Sequence, residues 1–293
     1  KMVVNDTLKG KTIVISGASR GIGKSIAIEA AKQGANIAIL AKTATPHPKL
    51  PGTIYTAAKE IEEAGGKALP LVCDIRSEKN VKDCIEKTVA TFGGIDILVN
   101  NASAINIANT ERVTMKKYDL MHAVNGRGTF LCSKLCIPYL KKSQNPHILN
   151  LSPPLSLDPR WFKYNTAYTM AKYNMSMCCL GMSAELEKYG IAVNCLWPRT
   201  AIATAAVNYE LGGEEMMNMS LNTHIMSEAA VEILTADSRV VTGQFFIDDD
   251  IMNRKGLSWP LVIAKYAITP GSKQIMPDYF IPEDKKHPLY SKL

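Results

Sequence analysis

The sequence predicts an α/β fold: a doubly wound parallel sheet in a single domain, with a proline-rich C-terminal arm. Three observations carry that prediction. Short β-branched runs alternate with longer helical stretches along most of the 293 residues, the pattern of strand–helix–strand units. A glycine-rich turn, Ser16-Gly17-Ala18-Ser19-Arg20-Gly21-Ile22-Gly23, joins the first strand to the first helix. No internal repeat or low-complexity linker divides the chain, so residues 8–250 read as one domain and residues 251–293 as the arm.

Each element follows from its own residues. Thr12 to Ser16 is a β-branched run and reads as a buried strand. A helix runs from Gly23 to Gln33 and ends at Gly34, a residue suited to a helix C-terminus. Ile37 to Ala41 is the second strand, followed by the proline-rich loop Pro46-His47-Pro48-Lys49-Leu50-Pro51-Gly52. Tyr55 to Ala64 reads as a helix closed by Gly65-Gly66, Ala68 to Cys73 as the third strand, and Glu78 to Phe92 as a helix. Ile95 to Val99 is the fourth strand, Met115 to Lys141 a long helical stretch, and His147 to Leu151 the fifth strand. A helix from Tyr168 to Tyr189 leads to the sixth strand, Ile191 to Leu196, and Val241 to Asp248 reads as the last. From Gly256 onward, Pro260, Pro270, Pro277, Pro282 and Pro288 are expected to break any regular element.

Composition narrows the function classes. Apolar residues make up 46% and charged residues 21%, ordinary proportions for a globular protein. No apolar run reaches the ~20 residues of a membrane-spanning helix. Residues 1–6 lack the apolar core of a signal peptide, so no membrane span or secretion signal is expected. The net charge of +7 contains no five-residue basic cluster, so attraction for phosphorylated ligands is expected and nucleic-acid binding is not. The seven cysteines include no Cys-x-x-Cys and are expected to be buried thiols in a reducing compartment, with no metal site. The chain ends Ser291-Lys292-Leu293, a peroxisomal address, which makes the peroxisome the expected location and its import receptor an expected partner.

Two motifs carry chemistry. In the glycine turn, Gly17, Gly21 and Gly23 let the backbone bend sharply and approach a pyrophosphate, while the helix start offers amide donors and a partial positive charge. Downstream, Tyr168-Thr169-Met170-Ala171-Lys172 places a phenol and an ammonium four residues apart on one helix face. Following the fifth strand, the pair lies at the carboxyl edge of the sheet, where ligands bind in such folds. The combination describes a nicotinamide-dependent oxidoreductase in which Tyr168 exchanges a proton as hydride moves. Tyr55 and Lys59 repeat the spacing after the second strand, on the adenosine side, and read as helix surface. The second strand ends Ala41-Lys42-Thr43 with no carboxylate to accept a ribose 2′-hydroxyl. Lys42, helped by Arg20, suits a 2′-phosphate instead, so NADP is favoured over NAD.

These residues resemble the short-chain dehydrogenase/reductase family over residues 8–249. The resemblance rests on the glycine turn, Asn100-Asn101-Ala102, Asn125, the Tyr168/Lys172 pair and Thr242-Gly243-Gln244. It implies a Rossmann fold, a homo-oligomer paired through the long helices, and an NADP(H) site formed by Gly17, Ser19, Arg20, Gly21, Ile22, Gly23, Lys42, Asp74, Asn101, Lys172, Pro198, Thr200 and Ile202. By the same resemblance Asp74 contacts adenine, Asn100 shapes the cofactor channel, and Asn125 holds a water in a proton relay ending at Lys172. The catalytic set is Tyr168, Lys172, Asn125 and Ser152.

The chain departs from the family pattern at Ser103, at Pro198-Arg199, and at Pro153, which stands where the carbonyl-polarising serine is expected. Ser152 is one residue early and Ser156 three late; Ser152 is preferred, although one residue along a strand changes the face. Residues 200–225 are expected to cover a small, lipid-like substrate, with Met216, Met217 and Met219 as an adaptable apolar wall. The expected reaction is hydride transfer between NADP(H) and a carbonyl or alcohol. Acyl-CoA double-bond reduction and a non-catalytic NADP-binding or scaffolding role are the alternatives.

Overall fold

The structure, a computed structural model, describes residues 8–290 except residues 49, 273 and 285. The Ser291-Lys292-Leu293 address and Lys49 of the proline-rich loop therefore lie outside the described residues.

Seven parallel strands form one sheet in the order β3-β2-β1-β4-β5-β6-β7. The first half runs β1 (Thr12–Ser16), α1 (Gly21–Ala31), β2 (Asn36–Ala41), α2 (Ile54–Glu63), β3 (Lys67–Val72), α3 (Glu78–Phe92) and β4 (Ile97–Asn100). The second runs α4 (Met115–Met121), α5 (Gly128–Leu140), β5 (His147–Asn150), α6 (Thr166–Leu186), β6 (Ala192–Trp197), α7 (Gly213–Asn218), α8 (His224–Leu234), β7 (Phe245–Ile247), α9 (Asp248–Arg254) and α10 (Trp259–Tyr266). Strand order reverses beside β1, which pairs with β2 on one side and β4 on the other. The crevice at that reversal is where open α/β sheets bind ligands.

The alternation of side chains along β1 divides the core in two. Ile13 and Ile15 join Ile26, Ala27, Ile61, Ile225 and Ala229 on one face of the sheet. Val14 points the other way, toward Ile85, Leu131, Cys132 and Cys179. The central strands are buried on both faces, which is why they read as continuous apolar runs. Edge strand β3 carries Pro70 and a mostly exposed Val72, as an edge permits. All seven cysteines are free thiols, Cys178 being only half-buried and Cys73 lying just past β3.

Three sequence expectations need correction. The stretch 115–141 is not one helix: a π-helical turn, His122–Arg127, separates α4 from α5. Close packing surrounds the turn: a Cβ on Gly126 would lie 2.5 Å from Asn174, and one on Gly128, the first residue of α5, 2.6 Å from Ile75. The last strand is shorter than 241–248, because Thr242 and Gln244 bond to β6 in irregular geometry around Gly243, whose φ is +69°. The arm is not free of regular structure. It contains α10, where Pro260 stands in the first turn and so needs no amide partner. Helices α7 and α8, absent from the sequence expectation, follow β6. Among the described residues no helix is long and apolar enough to cross a membrane.

Candidate functional site

The glycine turn is locked to the strand beside it. Asn101, just past β4, donates its side-chain amide to the carbonyls of Ser16 (3.0 Å) and Gly17 (3.1 Å). The Ser16 hydroxyl accepts the amides of Asn101 and Ala102. Gly17 adopts φ +71°, and a Cβ there would sit 2.9 Å from Ala102 Cα; a Cβ on Gly23 would reach 2.4 Å from Asn101 Nδ2. Both positions therefore require glycine on space, and Gly17 on conformation as well.

A cavity of about 500 Å³ opens above this turn, lined in part by Gly17, Ser19, Arg20, Gly21, Ile22, Lys42, Asp74 and Asn101. Helices α2, α3 and α4 are capped by the hydroxyls of Thr53, Ser77 and Thr114. The start of α1 has neither a side-chain cap nor an acidic residue in its first turn. Its unpaired amides and positive dipole end thus face the cavity, the donor set a pyrophosphate needs. The residues present fit a dinucleotide. Arg20 is placed differently from expectation: Nε and Nη2 donate to the carbonyls of Pro51 and Gly52, clamping the proline-rich loop onto the glycine turn. Asp74 is held by Arg76 at 2.5 Å, whose hydrogen bonds draw its carboxyl down to about 2. Lys42 is exposed at the end of β2, in the same lining.

A chain of polar contacts sets α6 against the sheet. Asn100 donates to Ser133 (3.1 Å) and Asn150 (2.9 Å), and Asn150 donates to the Met175 carbonyl (3.3 Å). Lys172 is buried and donates to the Leu151 carbonyl at 2.6 Å, with its ammonium 4.9 Å from the Trp197 ring centroid. Asn125 sits in the π-helical turn, and its amide exchanges both hydrogen bonds with the backbone of Ala104, at 2.7 and 3.0 Å. Single π turns recur at functional sites, and this one fixes the loop after β4.

The Tyr168 phenol lies in a second cavity, of about 390 Å³, with a mostly apolar wall that includes Ile105, Trp197, Ile202, Met216 and Phe280. The two cavities flank each other: Ala104 and Ala206 line the first, their neighbours Ile105 and Val207 the second. Burial pushes the Tyr168 phenol above its ordinary value, and the nearby Asp278 carboxyl adds to the shift. Burial pulls the Lys172 ammonium down to about 7, against the opposing pull of Asp278.

Other expected residues fall elsewhere. The Ser152 hydroxyl is buried and donates to Cys195 Sγ at 3.1 Å, outside either lining. The Pro153 carbonyl is bonded by Ser176 at 2.6 Å, and Ser156 accepts the Asp158 amide. Pro198 and Thr200 are buried behind the cavities, and Ile202 lines the second rather than the first. Of the three expected methionines only Met216 is in the lining. Tyr55 is exposed and Lys59 pairs with Glu63, as a helix surface requires. Among the described residues no group of His, Cys, Asp or Glu is arranged to hold a metal ion.

The arm takes part in the site, which no sequence motif signals. Residues 276–280 form part of the second cavity's wall, bringing Asp278 and Phe280 against Trp197. The arm is clipped on by Asp278 N–H to the Arg199 carbonyl (2.8 Å) and by a His287–Asp249 pair at 2.7 Å. Arg199, the residue that replaces a family glycine, pairs with Asp249 (2.6 Å) and Asp250 (2.7 Å) in the same region.

The chain is similar to known proteins over most of its length. The family model for short chain dehydrogenase matches residues 11–211. The chain is 58% identical over 280 residues to hydroxysteroid dehydrogenase-like protein 2 of Danio rerio, covering 94% of this chain and 66% of that one. It is 55% identical to the Homo sapiens protein of that name, again over 94% of this chain but 64% of the other. The chain thus spans about two thirds of these relatives' length. The crystal structure of a short chain dehydrogenase from Mycobacterium thermoresistibile superposes with a TM-score of 0.88 at 50% identity, covering 94% of this chain and 97% of that one.

Proposed function

Because this chain belongs to the short-chain dehydrogenase family, we propose that it is an NADP(H)-dependent oxidoreductase acting on the carbonyl or alcohol group of a lipid-like substrate. The observation that carries this reading is Tyr168, whose phenol faces an apolar cavity beside a dinucleotide-shaped groove, with the Lys172 ammonium on the same helix. The cofactor, when bound, supplies or accepts the hydride. Tyr168 gives its proton to the carbonyl oxygen in reduction and takes one from the alcohol in oxidation. A protonated Lys172 favours the phenolate that reduction leaves behind. The mostly apolar wall gives the reacting atoms surroundings poorer in water than bulk solvent. A panel of ketones mixed with the protein and NADPH tests the reading; cofactor bound without turnover of any ketone counts against it.

Lys42 supports the choice of NADP. It lies in the groove lining next to Asp74, and the β2 end carries no carboxylate to take a 2′-hydroxyl. A charged hydrogen bond to a 2′-phosphate is worth about 1.5–3 kcal/mol. Lys42→Ala is therefore expected to weaken NADPH roughly ten- to a hundredfold and to leave NADH little changed. Equal weakening of both, measured by fluorescence titration, makes Lys42 structural. Arg20 contributes less to this preference than the sequence suggested, since two of its donors hold the loop.

A homo-oligomer is also proposed. Phe130 on α5 and Met170, Met177 and Leu180 on α6 are exposed apolar side chains on adjacent helices, a patch that a second copy would cover. Light scattering at micromolar concentration is expected to give at least a dimer mass; a monomer removes the proposal.

A further inference from the structure

We propose that Asp278, carried by the C-terminal arm, is the counter-ion of the Tyr168–Lys172 pair and acts on it through Trp197. The catalytic consequence rests on the oxidoreductase reading above; the geometry does not. Asp278 Oδ1 accepts the Trp197 indole N–H at 2.5 Å and the Phe280 N–H at 3.4 Å. The Lys172 ammonium lies over the ring of the same Trp197. An indole whose N–H is held by a carboxylate carries more electron density on its face, and attraction for a cation follows that density. The indole therefore stands between opposite charges and binds both. Asp278 also lines the cavity into which the Tyr168 phenol opens.

The surroundings leave Asp278 to set the field. Lys172 lies four residues after Tyr168 on α6 and is met by the Leu151 carbonyl after β5, by the Met175 sulfur, by the Cys195 thiol and Trp197 of β6, and by Asp278 from the arm. The one carboxylate in that set is Asp278. Around Asp278 itself stand Tyr290 and the backbone of Arg199, whose guanidinium is engaged by Asp249 and Asp250. Burial raises the Asp278 carboxyl to about 6, so it is largely ionised at neutral pH, where Lys172, near 7, is poised between its two forms.

The sign is fixed by charge. A carboxylate raises the pKa of every titrating neighbour, so Asp278 keeps the proton on both Lys172 and Tyr168. Neutralising it lowers both. Carbonyl reduction needs both groups protonated, so the alkaline limb of its pH profile moves to lower pH. The arm thereby contributes to proton transfer as well as to the cavity wall.

The test is Asp278→Asn, read by the titration of the Lys172 side-chain 13Cε resonance, assigned by its loss in Lys172→Met. Its midpoint is expected to fall by about one pH unit, the low end of the effect of an opposite charge in direct range, because the indole lies between the two groups. Asp278→Glu, which keeps the charge, is expected to restore much of the shift. Trp197→Phe, which removes the indole N–H, is expected to give a partial shift. Asp278→Ser serves if the asparagine variant does not fold. An unmoved midpoint in a folded, charge-neutral variant overturns the proposal. The resonance needs no substrate, so the two readings fail separately. A shifted midpoint in a chain that reduces no ketone retains the counter-ion and removes the oxidoreductase; an unshifted one in an active enzyme does the reverse.

Discussion

Tyr168→Phe is expected to lower kcat for carbonyl reduction by about 10²–10⁴-fold, the range for loss of a positioned general acid, or ~3–5 kcal/mol of barrier. The change removes one oxygen. Among the described residues the Tyr168 hydroxyl has no hydrogen-bond partner and opens into the cavity, so its loss leaves no buried group unpaired. The ring stays packed near Phe280, 6.0 Å between centroids, so melting temperature and NADPH affinity should hold. Ser152→Ala is the informative control. That hydroxyl is buried on a thiol and lines neither cavity, so the variant is expected to keep most of the wild-type rate. Should Ser152→Ala match the loss in Tyr168→Phe, the serine reaches the substrate and joins the catalytic set. Persistent reduction of an acyl-CoA double bond in Tyr168→Phe would instead move the assignment to carbon–carbon chemistry, which needs no phenol at oxygen.

What the sequence made legible was local. The β1 run, the glycine turn and the α1 start are contiguous, and their backbone demands are written in residue type: Gly17 at positive φ, Gly23 under Asn101. The spacing of Tyr168 and Lys172 needs only the helical repeat. Less legible was anything set by packing between distant segments. The π turn at 122–127 arises where Gly126 meets Asn174 and Gly128 meets Ile75, contacts no periodicity reports. Ser152 looks available one residue from the expected position, yet its hydroxyl is taken by the Cys195 thiol of the neighbouring strand, a contact between distant segments. The arm was hardest. Its prolines suggested irregularity, and nothing in a proline count shows that residues 276–280 return 80 residues later in sequence to cover Trp197. A weak signal did exist: Tyr279-Phe280-Ile281 is an apolar, aromatic run that directly precedes the charged stretch Glu283 to Lys286.

Phe280→Ala is expected to destabilise the whole domain and to disable the substrate side of the site while sparing the cofactor side. The ring is 1% exposed and lies 5.6–6.4 Å, centroid to centroid, from Tyr173, Trp197, Tyr168 and Trp161. Truncating a buried phenylalanine costs about 3–5 kcal/mol where the void cannot collapse. A peripheral arm has another option, which is to detach and limit the loss to its own contacts. Here several tethers oppose that: the Trp197–Asp278 bond, the backbone bonds of residues 199–201 to 276–278, and the His287–Asp249 pair remain in the variant. The cost should therefore stay within the full range, about 3–5 kcal/mol, and appear as roughly 6–20 °C in melting temperature for a domain of this size. Affinity for an apolar ligand should fall with it, because Phe280 is part of the cavity wall. NADPH affinity should change little, since no residue of the arm lines the groove above the glycine turn. The opposite result is equally readable. An unchanged melting temperature with new proteolytic cleavage between residues 267 and 290 means the arm detaches as a unit, and its tethers are weaker than their geometry implies.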